Sequence, residues 1–386
     1  MTERTTRAGQ ILLLWGAGLG AAAQYGKVSV IYDQLPALYP DGGLALGFLV
    51  SIVGFVGIVF GVVAGLLVAS FGYRRALLWA LWFGAGLSVL QAQLPPLWLM
   101  LVLRALEGVS HLAIVVAAPT LIAQLSARRH LGLTLSLWST FFGVAYTGLV
   151  WLGLPMVAQF GLPSIFWAHA IWMAAFALIL TIRLNPLPQD SLSPTPLGLR
   201  GLVAAHTGVY RSPFMAAPAF GWLFYTFCFL ALLTLIPPFI PDASRAWVLG
   251  AMPLVSILVS MSLGVALMRS FSAVQVVMAG FALVIAALVW LWVVPGLPSA
   301  CFILAGALGL VQGASFAAVP QLNTTASDQA RANGAMAQMG NIGNTLGTPV
   351  LATILLGAGY SGMILTAIAV CAAGLGVHSL LARLRR

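Results

Sequence analysis

The sequence predicts an all-α membrane protein of twelve transmembrane helices in two six-helix, pseudo-symmetric bundles. Composition is the first reason: 61 % of the 386 residues are apolar and 6 % charged, where a soluble domain carries about 25 % charged residues. A water-soluble globule is excluded. The second is spacing, because the apolar residues gather in runs that match the roughly 20 residues needed to cross a hydrocarbon core. The third is sidedness, because the arginines fall in alternate gaps between those runs.

The spans follow in order, with breaks at charges, Pro and Gly. The first, near 9–31, begins after Met1–Gly9, where no small-residue cleavage site is seen, so it reads as a retained helix and not a signal peptide. Then come 45–69, closed by Arg74-Arg75; 75–93, closed by Pro95-Pro96; 97–124, closed by Arg128-Arg129; 131–158; and 163–182, closed by Arg183. The polar stretch 183–212, with its Pro- and Ser-bearing segment 185–196, reads as a linker between a bundle over 1–182 and another over 213–386. The second set lies near 213–237, 246–268, 273–294, 299–326, 330–357 and 360–382.

With the N-terminus inside, Arg4, Arg7, Arg74, Arg75, Arg128, Arg129, Arg183, Arg200, Arg211, Arg269, Arg331, Arg383, Arg385 and Arg386 all fall on the cytoplasmic side, and Arg245 falls outside. A multi-pass inner-membrane protein with both termini cytoplasmic is expected. The net charge of +10 therefore belongs to the membrane sides and not to nucleic acid, since no basic block is formed. Cys228, Cys301 and Cys371 each sit in a different apolar run, which indicates core packing and no metal or disulfide framework. Glu107-Gly108-Val109-Ser110 is echoed by Gln312-Gly313-Ala314-Ser315, each ahead of a proline, Pro119 or Pro320. Internal repetition of this kind marks transporter architecture.

The segment Gly65 to Arg75, between the second and third spans, resembles the basic turn GxxxDRxGRR of the major facilitator superfamily, and the six-plus-six organisation extends the resemblance over nearly the whole chain. Gly65, Gly72, Arg74 and Arg75 match and take a gating role by that resemblance; Ala69 stands where the family has aspartate. The later copy, Gly264 to Ser272 with Arg269, is weaker. Arg104, Glu107 and Gly108 are similar to the family's RxxxG pattern in the fourth helix. The fifth helix has Gly143 and Gly148 but no Gly-Pro motif of drug antiporters. The resemblance implies secondary transport by alternating access.

Lys27 and Arg104 are the cations left within spans, where a charge costs at least about 2.5–3.5 kcal/mol at mid-membrane. Each therefore needs a partner, a solute, or for Lys27 an interface to snorkel to. Arg104, Glu107 and His111 share one helix face, so Glu107 is either a permanent ion-pair partner of Arg104 or a proton-coupling group, with Asp33 the next carboxylate. Gln24 and Tyr25 lie beside Lys27. Gln338, Asn341 and Thr345 form a polar stripe with Asn344 adjacent, Gln312, Ser315 and Asn323 add another, and Trp222, Tyr225, Thr226 and Phe229 form an aromatic one. Such amides line solute paths or tie helices together, and such aromatics pack or bind. Gly57, Gly61 and Gly65, and Gly343 and Gly347, recur every four residues and let backbones approach; by the resemblance these two helices meet.

No HExxH, phosphate-binding loop, CxxC pair or nucleophile elbow is present, so neither an enzyme nor a cofactor is indicated. The expectation is a monomeric transporter, proton-linked or facilitative, of a small organic anion in a lipid bilayer, since the buried cations outnumber the deep carboxylate. Efflux of a drug or metabolite is the alternative within transport. A membrane-embedded enzyme or lipid-handling protein is the alternative outside it.

Overall fold

The computed structural model describes residues 5–61, 64–184 and 207–385; the segment 185–206, with Pro194 and Arg200, and the terminal Arg4 and Arg386 lie outside the described residues. Among the described residues the chain is helical with no strand. We number the helices α1 (Ala8–Ser29), α2 (Ala45–Phe60, with a 3-10 turn at Ile52–Gly54), α3 (Ala64–Phe71), α4 (Tyr73–Gln91), α5 (Leu97–Leu125), α6 (Leu131–Ser139), α7 (Phe141–Phe160) and α8 (Pro163–Arg183). They continue as α9 (Pro213–Leu235), α10 (Asp242–Leu267), α11 (Ala273–Val293), α12 (Pro298–Leu322) and α13 (Ala326–Leu384).

Eight helices among these are both long and apolar enough to cross a bilayer. The last of them holds two limbs, because Gly359 leaves helical geometry with φ +67°, a conformation that costs an L side chain about 1–2 kcal/mol. Contacts with α9 prove the reversal. The limb before Gly359 runs parallel to α9, with Gly340 on Trp222 and Gly347 on Phe227. The limb after it runs antiparallel, with Cys371 on Cys228 and His378 on Gly221. The other predicted spans coincide with α1, with α2 and α3 together, and with α4, whose Gln, Lys or Arg residues or shorter length lower their hydropathy.

Residue contacts divide the chain into one unit of residues 1–31 and 63–196 and a second of 32–62 and 197–386. In the first, α1, α4, α5 and α8 share a core of Leu14, Ala17, Ala21, Leu77, Ala80, Ile114, Ala118 and Met173. Small residues set how closely these helices approach, as lipid supplies little hydrophobic drive between them. A Cβ on Gly20 would lie 2.5 Å from Met173 Sδ, and one on Gly16 would overlap the Phe176 ring.

The ends of the unit are tied by hydrogen bonds. Arg7 N donates to Leu125 O at 3.1 Å, Thr6 Oγ1 lies 2.8 Å from His130 Nδ1, and Gln10 Nε2 donates to Arg183 O at 2.6 Å. Arg74 donates from Nε to Leu184 O at 2.7 Å and from Nη2 to Thr181 O at 2.9 Å. The start of α1, the start of α4, the end of α5 and the end of α8 thus lie at one end, and their arginines with them.

In the second unit the same sorting holds. Arg385 Nη1 donates to Pro213 O at 2.8 Å, Ala273 N to Gln321 Oε1 at 2.8 Å, and Asn323 Nδ2 to Phe214 O at 3.4 Å, taking a carbonyl that Pro218 cannot serve. Tyr360 Oη donates to Leu291 O at 2.8 Å at the opposite end. Arg245 is paired there with Asp242 at 2.5 Å and donates to Pro237 O and Ile240 O. The helix α2 groups with this unit, antiparallel to the first limb of α13: Gly57 lies under Asn341, and a Cβ on Gly61 would be 3.2 Å from Gln338 Cα. Gly343 and Gly347 face a different neighbour, the α9 backbone at Leu223 and Phe227.

Candidate functional site

Four helices of the first unit bring charged and polar side chains to one buried point. Lys27 comes from the last turn of α1, Ser88 and Gln91 from one face of α4, Arg104 and Glu107 from one face of α5, and His169 from α8. Lys27, Ser88, Gln91, Arg104 and Glu107 are 0 % exposed. Lys27 is therefore not a snorkelling side chain: its ammonium is inside the unit.

Two protons of that ammonium have acceptors. Nζ donates to Glu107 Oε1 at 2.6 Å and to Ser88 Oγ at 2.8 Å, and it lies 3.1 Å from His169 Nδ1 and 5.5 Å above the Phe166 ring. Glu107 Oε2 accepts from Arg104 Nη1 and, at 2.9 Å, from Gln91 Nε2. One carboxylate therefore serves two cations. Pairing offsets the desolvation of buried charges only with good geometry and satisfied remaining hydrogen bonds, and the excess cation leaves the cluster at a formal +1 with a neutral histidine.

The histidine is held neutral by its partners. His169 Nε2 lies 2.9 Å from Gly20 O, which only accepts, so Nε2 carries the hydrogen and Nδ1 accepts. Ser88 Oγ, 2.6 Å from Nδ1, donates to it while accepting from Lys27.

Gln24 and Tyr25 join the rim. Gln24 Nε2 donates to Ser110 Oγ at 2.9 Å, and Ser110 Oγ donates to Ala80 O at 2.7 Å. Tyr25 meets the His111 ring edge to face at 5.0 Å, and His111 Nδ1 donates to Ala21 O at 3.0 Å. Gln24 Oε1, Gln91 Oε1 and Tyr25 Oη are buried without a hydrogen-bond partner among the described residues.

Other sequence candidates make contacts of their own. In the second unit Trp222 stacks on Tyr225 at 4.8 Å, Tyr225 on Phe229 at 5.1 Å, and Trp222 leans on Phe316 at 4.7 Å. Gln338 accepts from Tyr210 Oη at 2.6 Å and donates to Ile58 O at 2.9 Å, which ties helices together. Asn341 Nδ2 donates to Ala337 O at 2.7 Å; Asn344 and Gln312 are partly buried. Asp33 is exposed in a 3-10 turn, Tyr32–Gln34. Around the basic turn, Gly72 has φ +91°, Arg74 caps α8, Arg75 is exposed, and Gly65 has open space where a Cβ would stand.

Ser88, Gln91 and His169 belong to the site although the sequence reading passed them over. Their signal was there: each is a polar residue isolated in an apolar run, as Lys27 is.

Comparison with known proteins now adds to this geometry. The family profile for the Major Facilitator Superfamily matches residues 14–348. No curated protein matches the chain significantly. Among solved structures, a bacterial homologue of the human lysosomal transporter Spinster, inward-facing and occupied, shares the fold with TM-score 0.77 at 13 % identity, over 98 % of this chain and 97 % of that one. The same protein, inward-facing and unoccupied, gives TM-score 0.78 at 13 % identity over the same shares. With the profile spanning most of the chain, and the fold shared from end to end, the chain belongs to the major facilitator superfamily and is a multi-pass membrane transporter.

Proposed function

We propose that this protein is a proton-coupled secondary transporter of a small organic anion, working by alternating access in the cell inner membrane as a monomer with both termini and the 183–212 linker cytoplasmic. The observation that carries this reading is the sharing of Glu107 between Lys27 and Arg104, all three wholly buried. One positive charge is left over, which favours an anion and disfavours a cationic drug.

The coupling follows from competition. An anion drawn to Lys27 and Arg104 replaces Glu107 as their counter-charge, and a carboxylate stripped of its cations in a low-dielectric interior takes up a proton. Anion and proton then move together, the protonated Glu107 leaving the anion as the counter-charge of Lys27 and Arg104 and the cluster again at a formal +1. When the anion leaves, Glu107 returns to the cations and gives up its proton. The gate at Gly65, Gly72, Arg74 and Arg75 lacks a carboxylate at Ala69, so it is held by the Arg74 cap on α8 and not by an ion pair. On this reading Asp33 at the outer turn is the second carboxylate to test, and Trp222, Tyr225, Gln312, Gln338, Asn341 and Asn344 are the candidate solute contacts of the second unit.

Proteoliposomes given a panel of organic anions on the outside, with and without an inward-directed proton gradient (acid outside), test the reading. Wild type accumulates its anion when the gradient is imposed. Glu107→Gln, which mimics the protonated form, retains counterflow exchange and loses the response to the gradient. Gradient-driven accumulation by Glu107→Gln would overturn the coupling role.

A further inference from the structure

We propose that the solute is a hydroxylated organic anion, one carrying hydroxyl donors beside its negative charge. The inference rests on the anion reading above and narrows it. It comes from three buried polar atoms that meet no partner among the described residues: Gln24 Oε1, Gln91 Oε1 and Tyr25 Oη. A buried unpaired polar group is costly, and of the ten such atoms among the described residues these three lie on residues beside one charged cluster.

The chemistry of their neighbours fixes which way the two amides point. Gln91 faces the Glu107 carboxylate at 2.9 Å, and a carboxylate only accepts, so the nitrogen of Gln91 must be the atom turned toward it. Gln24 faces Ser110 Oγ, whose own hydrogen goes to Ala80 O at 2.7 Å, so Ser110 accepts and the Gln24 nitrogen donates. Flipping either amide would break its bond. The unmet amide atoms are therefore both acceptors.

Gln24 is one helical turn before Lys27 on α1, and Gln91 one turn after Ser88 on α4. The acceptors flank the cations. Lys27 is engaged instead by Glu107 Oε1 at 2.6 Å and Ser88 Oγ at 2.8 Å. A simple carboxylate or an inorganic anion without hydrogens would balance the charge and take the Tyr25 hydrogen, yet would leave both amide oxygens unmet. Ammonium donors would meet them but would stand against Lys27 and Arg104. Hydroxyl groups donate without adding charge. An anion with hydroxyls on its carbon skeleton satisfies the charge and the acceptors together.

The test uses the full-length purified protein and carbon-matched pairs: propanoate and 2-hydroxypropanoate, butanoate and 3-hydroxybutanoate, succinate and malate, hexanoate and gluconate. Apparent binding constants come from thermal shift titrations and from inhibition of counterflow in proteoliposomes. In at least one pair the hydroxylated member should bind about tenfold tighter or more, because a site built to bond a hydroxyl leaves its own polar atoms unpaired with the analogue that lacks it. That ratio should fall toward one in Gln24→Met or Gln91→Met, and the wild-type ratio stands as the measurement if either variant fails to fold. Equal binding within every pair that binds would overturn the hydroxyl inference and leave the anion reading intact, the acceptors then being met by water. Binding of no anion from either column would overturn the anion reading and this inference with it.

Discussion

Lys27 Nζ and Glu107 Oε1 meet at 2.6 Å across α1 and α5, and the same carboxylate meets Arg104 within α5. Removal of one member should therefore have unequal costs. Glu107→Leu strands two buried cations, while Lys27→Met leaves Glu107 still paired with Arg104. Breaking a buried pair costs about 3–5 kcal/mol, so Glu107→Leu should lower the unfolding midpoint in detergent clearly more than Lys27→Met does. Equal midpoints would mean the carboxylate is not shared.

Arg74 should act as a helix cap. Its two bonds to Leu184 O and Thr181 O satisfy carbonyls that a helix C-terminus leaves without partners, and its charge faces the negative end of the α8 dipole. Arg74→Ala is expected to cost about 1–2 kcal/mol, and Arg74→Lys to restore only part, since a lysine cannot reach both carbonyls with a rigid fork. Arg75→Ala, at an exposed neighbour, serves as the control and should change the midpoint little. Thermal unfolding of the three variants decides it.

The glycines of the same turn should separate by conformation. Gly72 holds φ +91°, so Gly72→Ala is strained by about 1–3 kcal/mol. Gly65 lies inside helix α3 with nothing within 4 Å of a built Cβ, so Gly65→Ala should be neutral or stabilising by up to about 1 kcal/mol. A pair of melting curves checks the contrast, and a destabilised Gly65→Ala would point to a packing partner for that face.

Cys228 and Cys371 place their sulfurs 3.7 Å apart, close enough to reach the roughly 2.05 Å of a disulfide with small adjustments. In a Cys301→Ser background a membrane-permeant oxidant such as diamide should produce an intramolecular disulfide, read as a mass loss of two hydrogens and a peptide linking the two sites. Full retention of both free thiols after prolonged oxidation would contradict the antiparallel pairing of α9 with the second limb of α13.

The C-terminal amides show where sequence reading stops. Gln338, Asn341 and Thr345 share a helix face by spacing alone, but spacing leaves open whether that face meets solute or another helix. The structure directs Gln338 to Ile58 O and Tyr210, a tie between helices. In the same way the four-residue repeat of Gly343 and Gly347 announces a close approach without naming the neighbour, which is α9 and not α2.

What the sequence determined by itself is what depends on near neighbours along the chain. The spans follow from runs of apolar residues, the one-ended arginines from the breaks between them, and the Arg104 to Glu107 pair from a three-residue spacing that any α-helix places on one face. Only the tertiary structure decided that Lys27 joins that pair, that Ser88, Gln91 and His169 complete it, and that Arg74 turns to cap α8. Those contacts link positions 16 to 142 residues apart, on α1, α4, α5 and α8. Helical periodicity fixes which side chains share a face, whereas the small residues between helices, such as Gly16, Gly20 and Gly84, fix which faces meet and how closely.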